Sequence, residues 1–158
     1  NIGDVELFVN GRSCGVKHPD EYTVNWQIPY EKGEIRVKAT AADGTVYEDV
    51  KRSFGDSAKI VLFAYSDTVK ADGEDLAFVT ISTVDKDGNP VENARDRIFL
   101  TVDGGRLVGF DNGDSTDYDN YKSADRRLFS GKAVAYISAD TSDGVITVTA
   151  EGNGLKNP

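Results

Sequence analysis

The chain has 158 residues but only one cysteine, one histidine and one tryptophan, and it has no methionine. A lone Cys14 can form no disulfide within the chain and no thiolate metal cluster, so the redox compartment stays open. His18 is the one imidazole available to a nucleophilic centre. It sits in "VKHPDEY" beside Pro19, in a solvent-facing loop context, and no serine stands out as the partner a triad would need. Positive charge is also scarce. Eighteen Lys and Arg face 27 Asp and Glu, for a net charge of −9. This balance excludes a basic nucleic-acid face and attraction to an anionic membrane surface. Apolar runs such as "IVLFAY" at 60–65 fall far short of the ~20 residues of a membrane span. The P-loop, dinucleotide and zinc-protease signatures are absent. "DGGR" at 103–106 reads as a hairpin turn, since no helix start follows it to cradle a phosphate. A start at Asn1 without methionine implies a piece of a longer protein, so a missing signal peptide carries no information on location.

Strand patterns fill the rest. "DVELFVNG" alternates Val5, Leu7 and Val9 with Asp4, Glu6 and Phe8, and ends in Asn10-Gly11, a strong hairpin signal. "EIRVKATA" alternates Ile35, Val37, Ala39 and Ala41 with polar residues, and Asp43-Gly44 turns it into "TVYEDV". Further strands are predicted in "AKIVLFAY", "LAFVTISTV", "RIFLTVD", "GRLVGF", "GKAVAYISA" and "GVITVTA", with turns at Asp72-Gly73, Asp87-Gly88, Asp103-Gly104-Gly105 and Asp143-Gly144. The best helical candidate is a single turn at Ser123–Leu128 with Ser123 as N-cap. The spacing predicts an all-β chain of two tandem immunoglobulin-like antiparallel β-sandwich units, 1–54 and 55–158. The first is short for an independent core and is read as truncated, its first strands lying upstream. The polar tail "EGNGLKNP" leaves a closing strand of the second unaccounted for.

The candidate site is "GFDNGDSTDYDNYKSADRRLF", residues 109–129. Asp111, Asp114, Asp117 and Asp119, with Asn112 and Asn120, offer oxygens of the kind calcium takes, but the EF-hand order is not met. Lys122, Arg126 and Arg127 can balance the acidic charge internally. The favoured reading is a self-packed loop anchored at Phe110 and Phe129, with Arg126 or Arg127 reaching back to an aspartate. Calcium binding, or a surface for a sugar or partner through Tyr118 and Tyr121, are the alternatives. A glycosidase acid pair is disfavoured, because a hydrated acidic loop raises no pKa. Trp26 in "TVNWQIPYEKGEI" reads as a core residue on a strand with Ile28 and Tyr30, with sugar stacking as its functional alternative. No catalytic residue and no cofactor are assigned.

Several of these stretches together carry a resemblance. "DVELFVNGRSCGVK" and "W-x-I-P-Y-E-K-G-E-I-x-V-K-A" at 26–39 resemble the small β domain that follows the catalytic barrel in bacterial glycoside hydrolase family 2 β-galactosidases. "VKADGEDLAFVTISTVDKDGNPV" at 69–91, "GGRLVGFDNGD" at 104–114, "YKSADRRLFSGKA" at 121–133 and "GVITVTAEGNGL" at 144–155 resemble the immunoglobulin-like C-terminal domain of those enzymes. The resemblance implies a parent that hydrolyses terminal β-glycosides with retention. The two catalytic glutamates of that family lie in a (β/α)8 barrel, which needs about 250 residues and finds no match here. The chain is therefore expected to be a non-catalytic accessory fragment. Its partners would be the barrel and other domains of the same chain, and carbohydrate, with an extracytoplasmic bacterial location. An adhesin-like immunoglobulin repeat, favoured by the "D-x-D-G-N-P-V" turn, and a carbohydrate-binding module are the rival readings.

Overall fold

The computed structural model describes residues 2–139 and 144–158. Among them every regular element is a β-strand. The chain divides into two compact units, Asn1–Ser53 and Phe54–Pro158.

In the first unit, β1 (Ile2–Val9), β2 (Arg12–Lys17), β3 (Glu34–Ala41) and β4 (Val46–Arg52) form one antiparallel sheet in the order β2-β1-β3-β4. Val5, Leu7 and Val9 are buried, as their period-2 spacing requires. Their register partners Ala39, Val37 and Ile35 share that face. Burial fades toward the strand end, where Ile35 is exposed. Asn10 and Gly11 take φ of 50° and 77°, the conformation of a type I′ hairpin turn. Asn10 has a second task. Its Oδ1 accepts the Glu34 N–H at 2.8 Å, and its Nδ2 donates to the Lys32 carbonyl at 3.1 Å. Gly33, at φ 134°, passes so close that a Cβ there would lie 1.9 Å from Asn10 Oδ1.

The segment 24–30 is not a strand, contrary to the expectation for Trp26, Ile28 and Tyr30. Pro29 removes a ladder donor there. Trp26 and Ile28 are half-buried and Tyr30 is exposed.

The second unit is a sandwich of two sheets. One orders β5 (Lys59–Ala64), β6 (Leu76–Val84), β10 (Lys132–Ala139) and β8 (Gly105–Asp111) as β5-β6-β10-β8. The other orders β11 (Thr147–Gly152), β7 (Arg97–Asp103) and β9 (Asp125–Arg127) as β11-β7-β9. Ile60, Ile81, Ile137 and Phe110 of the first sheet join Ile98, Leu100 and Ala150 of the second in one core, closed by Val91 and Leu128. The expected helical turn at Ser123–Leu128 is instead β9. Period-2 spacing puts Arg126 and Leu128 on the buried side and Arg127 outward, which a helical turn could not do. Ser123 caps nothing, and its hydroxyl donates to Asp125 Oδ1 at 2.6 Å. Asp143 of the expected Asp143-Gly144 turn lies outside the described residues. The polar tail folds back: Lys156 pairs in parallel with Lys59, and Leu155 packs on the core.

Asp85 organises one end of this sandwich. It is buried and accepts the N–H groups of Gly55, Asp87 and Asn89 at 2.9, 2.9 and 2.8 Å. These donors, the Gly55 amide above all, lower its pKa to about 2.

Gly33→Ala destabilises the first unit by about 1–3 kcal/mol, because the new Cβ is strained at positive φ and collides with Asn10. Trp26 is the sole tryptophan and lies in that unit, so urea unfolding followed by its fluorescence reads the loss. The depressed Asp85 pKa means that its contribution to stability is complete above the ordinary carboxylate range. That contribution is lost as pH falls from about 4 toward about 2. Urea midpoints from pH 7 to pH 2 should therefore fall more steeply for the native chain than for Asp85→Asn.

Candidate functional site

The loop between β8 and β9 is built from its own Asp and Asn side chains. The Oδ1 atoms of Asp111, Asn112, Asp114, Asp117 and Asn120 each accept the backbone N–H two residues on, at 2.9–3.2 Å. This is the Asx-turn, in which a short polar side chain replaces a backbone acceptor. Repeated along the segment, it explains why a long connection so rich in aspartate is ordered without helix or strand. Thr116 adds a hydroxyl bond to Asp114 at 2.7 Å, and that bond, with the Thr116 amide, holds the Asp114 pKa low.

Two arginines stitch the loop to the sheet. Arg126 enters the buried side of β9 opposite Ile98 and is 1% exposed. Its Nη1 donates to Asp117 Oδ2 and its Nη2 to the Asp119 carbonyl, both at 2.9 Å. The guanidinium lies 4.9 Å from the Tyr121 ring centroid, within cation–π range. Asn112 Nδ2 reaches the same Asp117 oxygen at 2.7 Å. The Asp119 amide, then Asn112 and Arg126, lower the Asp117 pKa. From β7, Arg97 pairs with Asp125 and with Asp119, the latter at 2.8 Å. Those pairings, Asp125 first, raise the Arg97 pKa, and the Ser123 hydroxyl and then Arg97 depress that of Asp125.

The structure thus brings Asp117 and Asp119 together through arginine, and leaves Asp111 and Asp114 in their own turns. Among the described residues no three His, Cys, Asp or Glu side chains gather as a metal site would need. Arg126, not Arg127, is the residue that reaches back. The expected anchor Phe129 is 41% exposed; the buried anchors are Phe110 and Leu128. Leu128 and Arg126 alternate inward on a strand, and Phe129 therefore points out.

The aromatic candidates are dispersed. Tyr118 is 98% exposed. Tyr121 is exposed, with its ring against Arg126. Trp26 belongs to the first unit, where Lys17 Nζ lies 5.4 Å from its ring and its Nε1 is buried without a hydrogen-bond partner. His18 is exposed, its Nδ1 3.1 Å from Asp4 Oδ1. The cavity beside the loop, bordered by Arg95, Arg127 and Tyr118, holds about 140 Å³. Clefts for small ligands run to about 300–1,000 Å³. Sequence reasoning missed Arg97, which carries no local motif and meets the loop only through the β7–β9 pairing.

Comparison with known proteins follows the same division. Residues 60–158 match the family described as glycoside hydrolase family 2 C-terminal domain 5, and residues 1–48 match a domain of unknown function. A β-galactosidase of Bacteroides ovatus is 36% identical over 97% of this chain, and the chain covers 18% of its length. A β-glucuronidase of Formosa agariphila is 23% identical over 99% of the chain, which covers 16% of it. The crystal structure of a β-glycosidase from Bacteroides vulgatus superposes with a TM-score of 0.93 at 31% identity, over 98% of this chain and 20% of that one. The chain thus spans about a fifth of the length of the relatives it matches.

Breaking the buried pair tests the loop. Arg126→Met leaves the Asp117 carboxylate, 7% exposed at its side chain, without its cation and costs about 3 kcal/mol. Arg127→Met, on the exposed side of the same strand, costs about 0.5 kcal/mol or less. Phe129→Ala falls well below Arg126→Met. Denaturant unfolding of the three variants gives the ranking. Thermal melts in millimolar calcium and in chelator should coincide, and a difference of many degrees would assign the aspartates to a metal.

Proposed function

Because the chain belongs to the glycoside hydrolase family 2 C-terminal domain 5 family, we propose that it is a non-catalytic accessory portion of a glycosidase that cleaves terminal β-glycosides with retention. The observation that carries the reading is the state of the carboxylates. The candidate aspartates are tied into Asx turns and arginine pairs, and those with shifted pKa values are shifted down. A glycosidase acid needs the opposite, a carboxyl held protonated by burial. The acids that do the chemistry would then belong to another part of the parent polypeptide.

The relatives point to a role that is not sugar selection. One is named a β-galactosidase and another a β-glucuronidase, yet both align with nearly the whole chain. A module shared by enzymes of different sugar preference serves structure or domain placement better than specificity. The loop at 109–129 is then a structural closure of the second unit. Galactoside is the substrate we favour for the parent, by its likeness to the Bacteroides ovatus enzyme. The same reading puts the parent outside the cytoplasm of a bacterium, which cell fractionation checks.

Purified chain should release no aryl alcohol from aryl β-galactosides above a matched blank, whereas the parent polypeptide should turn them over. Turnover by the chain, abolished by substituting any one of its carboxylates, would overturn the reading.

A further inference from the structure

The solvent face of the β5-β6-β10-β8 sheet carries aromatic residues where an outward face normally carries polar ones. Tyr136 of β10 lies opposite Phe78 of β6 on one side and Gly109 of β8 on the other. Tyr65, just past β5, donates its N–H to the Phe78 carbonyl at 3.0 Å and so continues the row. Phe63 stands in the next row, opposite Thr80. The rings interlock. Phe78 and Tyr136 meet edge to face at 5.5 Å, and so do Phe63 and Tyr65 at 5.3 Å. The Tyr136 ring packs over Gly109, its Cδ2 3.5 Å from where a Cβ would stand, with the Tyr121 carbonyl oxygen at 3.7 Å.

This cluster is not buried by its own sheet. Phe63 is 60% exposed, Tyr65 68% and Phe78 42%. In these two rows β5, β6 and β10 contribute no charged residue, and the one charge is Asp111 of β8, at the end of the row that holds Phe63, Thr80 and Val134. Cross-strand ring pairs stabilise a sheet, but that benefit does not require so much ring surface to stay in water. At roughly 150–250 Å² per aromatic side chain, the three leave on the order of 250–430 Å² of mostly apolar surface open. That is within the range of the largest apolar patch on an ordinary monomer, about 300–600 Å², which is often a functional one.

We infer that this aromatic face is the seat on which another domain of the same parent polypeptide docks. The inference rests on the reading of the chain as part of a larger glycosidase. Relatives are about five times longer than this chain, so a neighbour is present in cis in each of them. The area argues for a tethered neighbour. A free partner or a second copy of the chain needs about 800 Å² per side to hold. A linked domain needs less, because linkage sets a high effective concentration. The chemistry argues for protein over sugar. A pyranose platform needs open ring faces beside hydrogen-bonding groups. Here the rings meet at 79° and 75°, and the Tyr65 hydroxyl already accepts a hydrogen bond from Thr80 at 3.3 Å.

Hydroxyl-radical footprinting read by mass spectrometry tests this in the intact parent polypeptide and in the 158-residue chain. Oxidation of Phe63 and Tyr65 should be at least five-fold slower in the parent, at every protein concentration. Equal rates in the two would overturn the inference. Protection that disappears on dilution would assign the face to a second copy and overturn it as well. Protection that appears only when a β-linked galacto-oligosaccharide is added would make it a sugar platform, with the same consequence. A second arm needs only the parent: Phe63→Asp with Tyr65→Asp should raise oxidation of Phe78 and Tyr136 at least three-fold, and no rise would sink the idea. An aryl β-glycoside assay on the same parent separates the two readings. Protection of Tyr65 in a parent without activity would leave the docking face standing and remove the glycosidase.

Discussion

One ion pair organises the second unit. Arg126 is the largest of the fully buried side chains, and it sits on the core side of a three-residue strand. A guanidinium there is tolerable only with its donors engaged. Asp117 and the Asp119 carbonyl take two of them, and the Tyr121 ring covers the cation. The Nε remains unsatisfied. To meet Arg126, Asp117 must be held at a fixed point, and the run of Asx turns from Asp111 to Asn120 holds it. The acidic loop thus follows from the buried arginine.

The same economy of polar side chains recurs elsewhere. Asn10 closes one hairpin and clamps the approach to β3. Asp85 gathers three amides at the start of the second unit. In each case a short Asn or Asp side chain satisfies backbone donors that no ladder reaches, which an all-β chain with long connections requires. Asp85, Asp114, Asp117 and Asp125 are stabilised as anions. The feature that makes them good structural residues makes them poor proton donors, and this joins the fold to the proposed accessory role.

Membership in the glycoside hydrolase family 2 C-terminal domain 5 family gives the chain its context. Its two faces of interest differ in kind. The 109–129 loop is turned inward on itself. The aromatic face of the larger sheet is turned outward with its rings uncovered. The accessory role proposed above would use both, a rigid body and a surface by which that body takes its place.

Local pattern was enough for most of the strands. β6 and β7 coincide with "LAFVTISTV" and "RIFLTVD", and the turns at Asn10-Gly11 and Asp43-Gly44 are where the dipeptides put them, because period-2 burial and positive φ act within a few residues. That an arginine of the 109–129 stretch would return to an aspartate was also legible, since charge balance is a property of the segment. Which arginine was not. Arg126 rather than Arg127, and Leu128 rather than Phe129, were selected by the pairing of β9 with β7, a contact across about thirty residues that decides which side of a three-residue strand faces the core. Trp26 failed for the converse reason: its alternation with Ile28 and Tyr30 looked like a strand, but no neighbour pairs with it. Sequence by itself determined most of the strands, the acidic character and the family. Only tertiary structure decided which side chains of those elements meet, because inward and outward on a strand have no meaning until a second sheet lies against it.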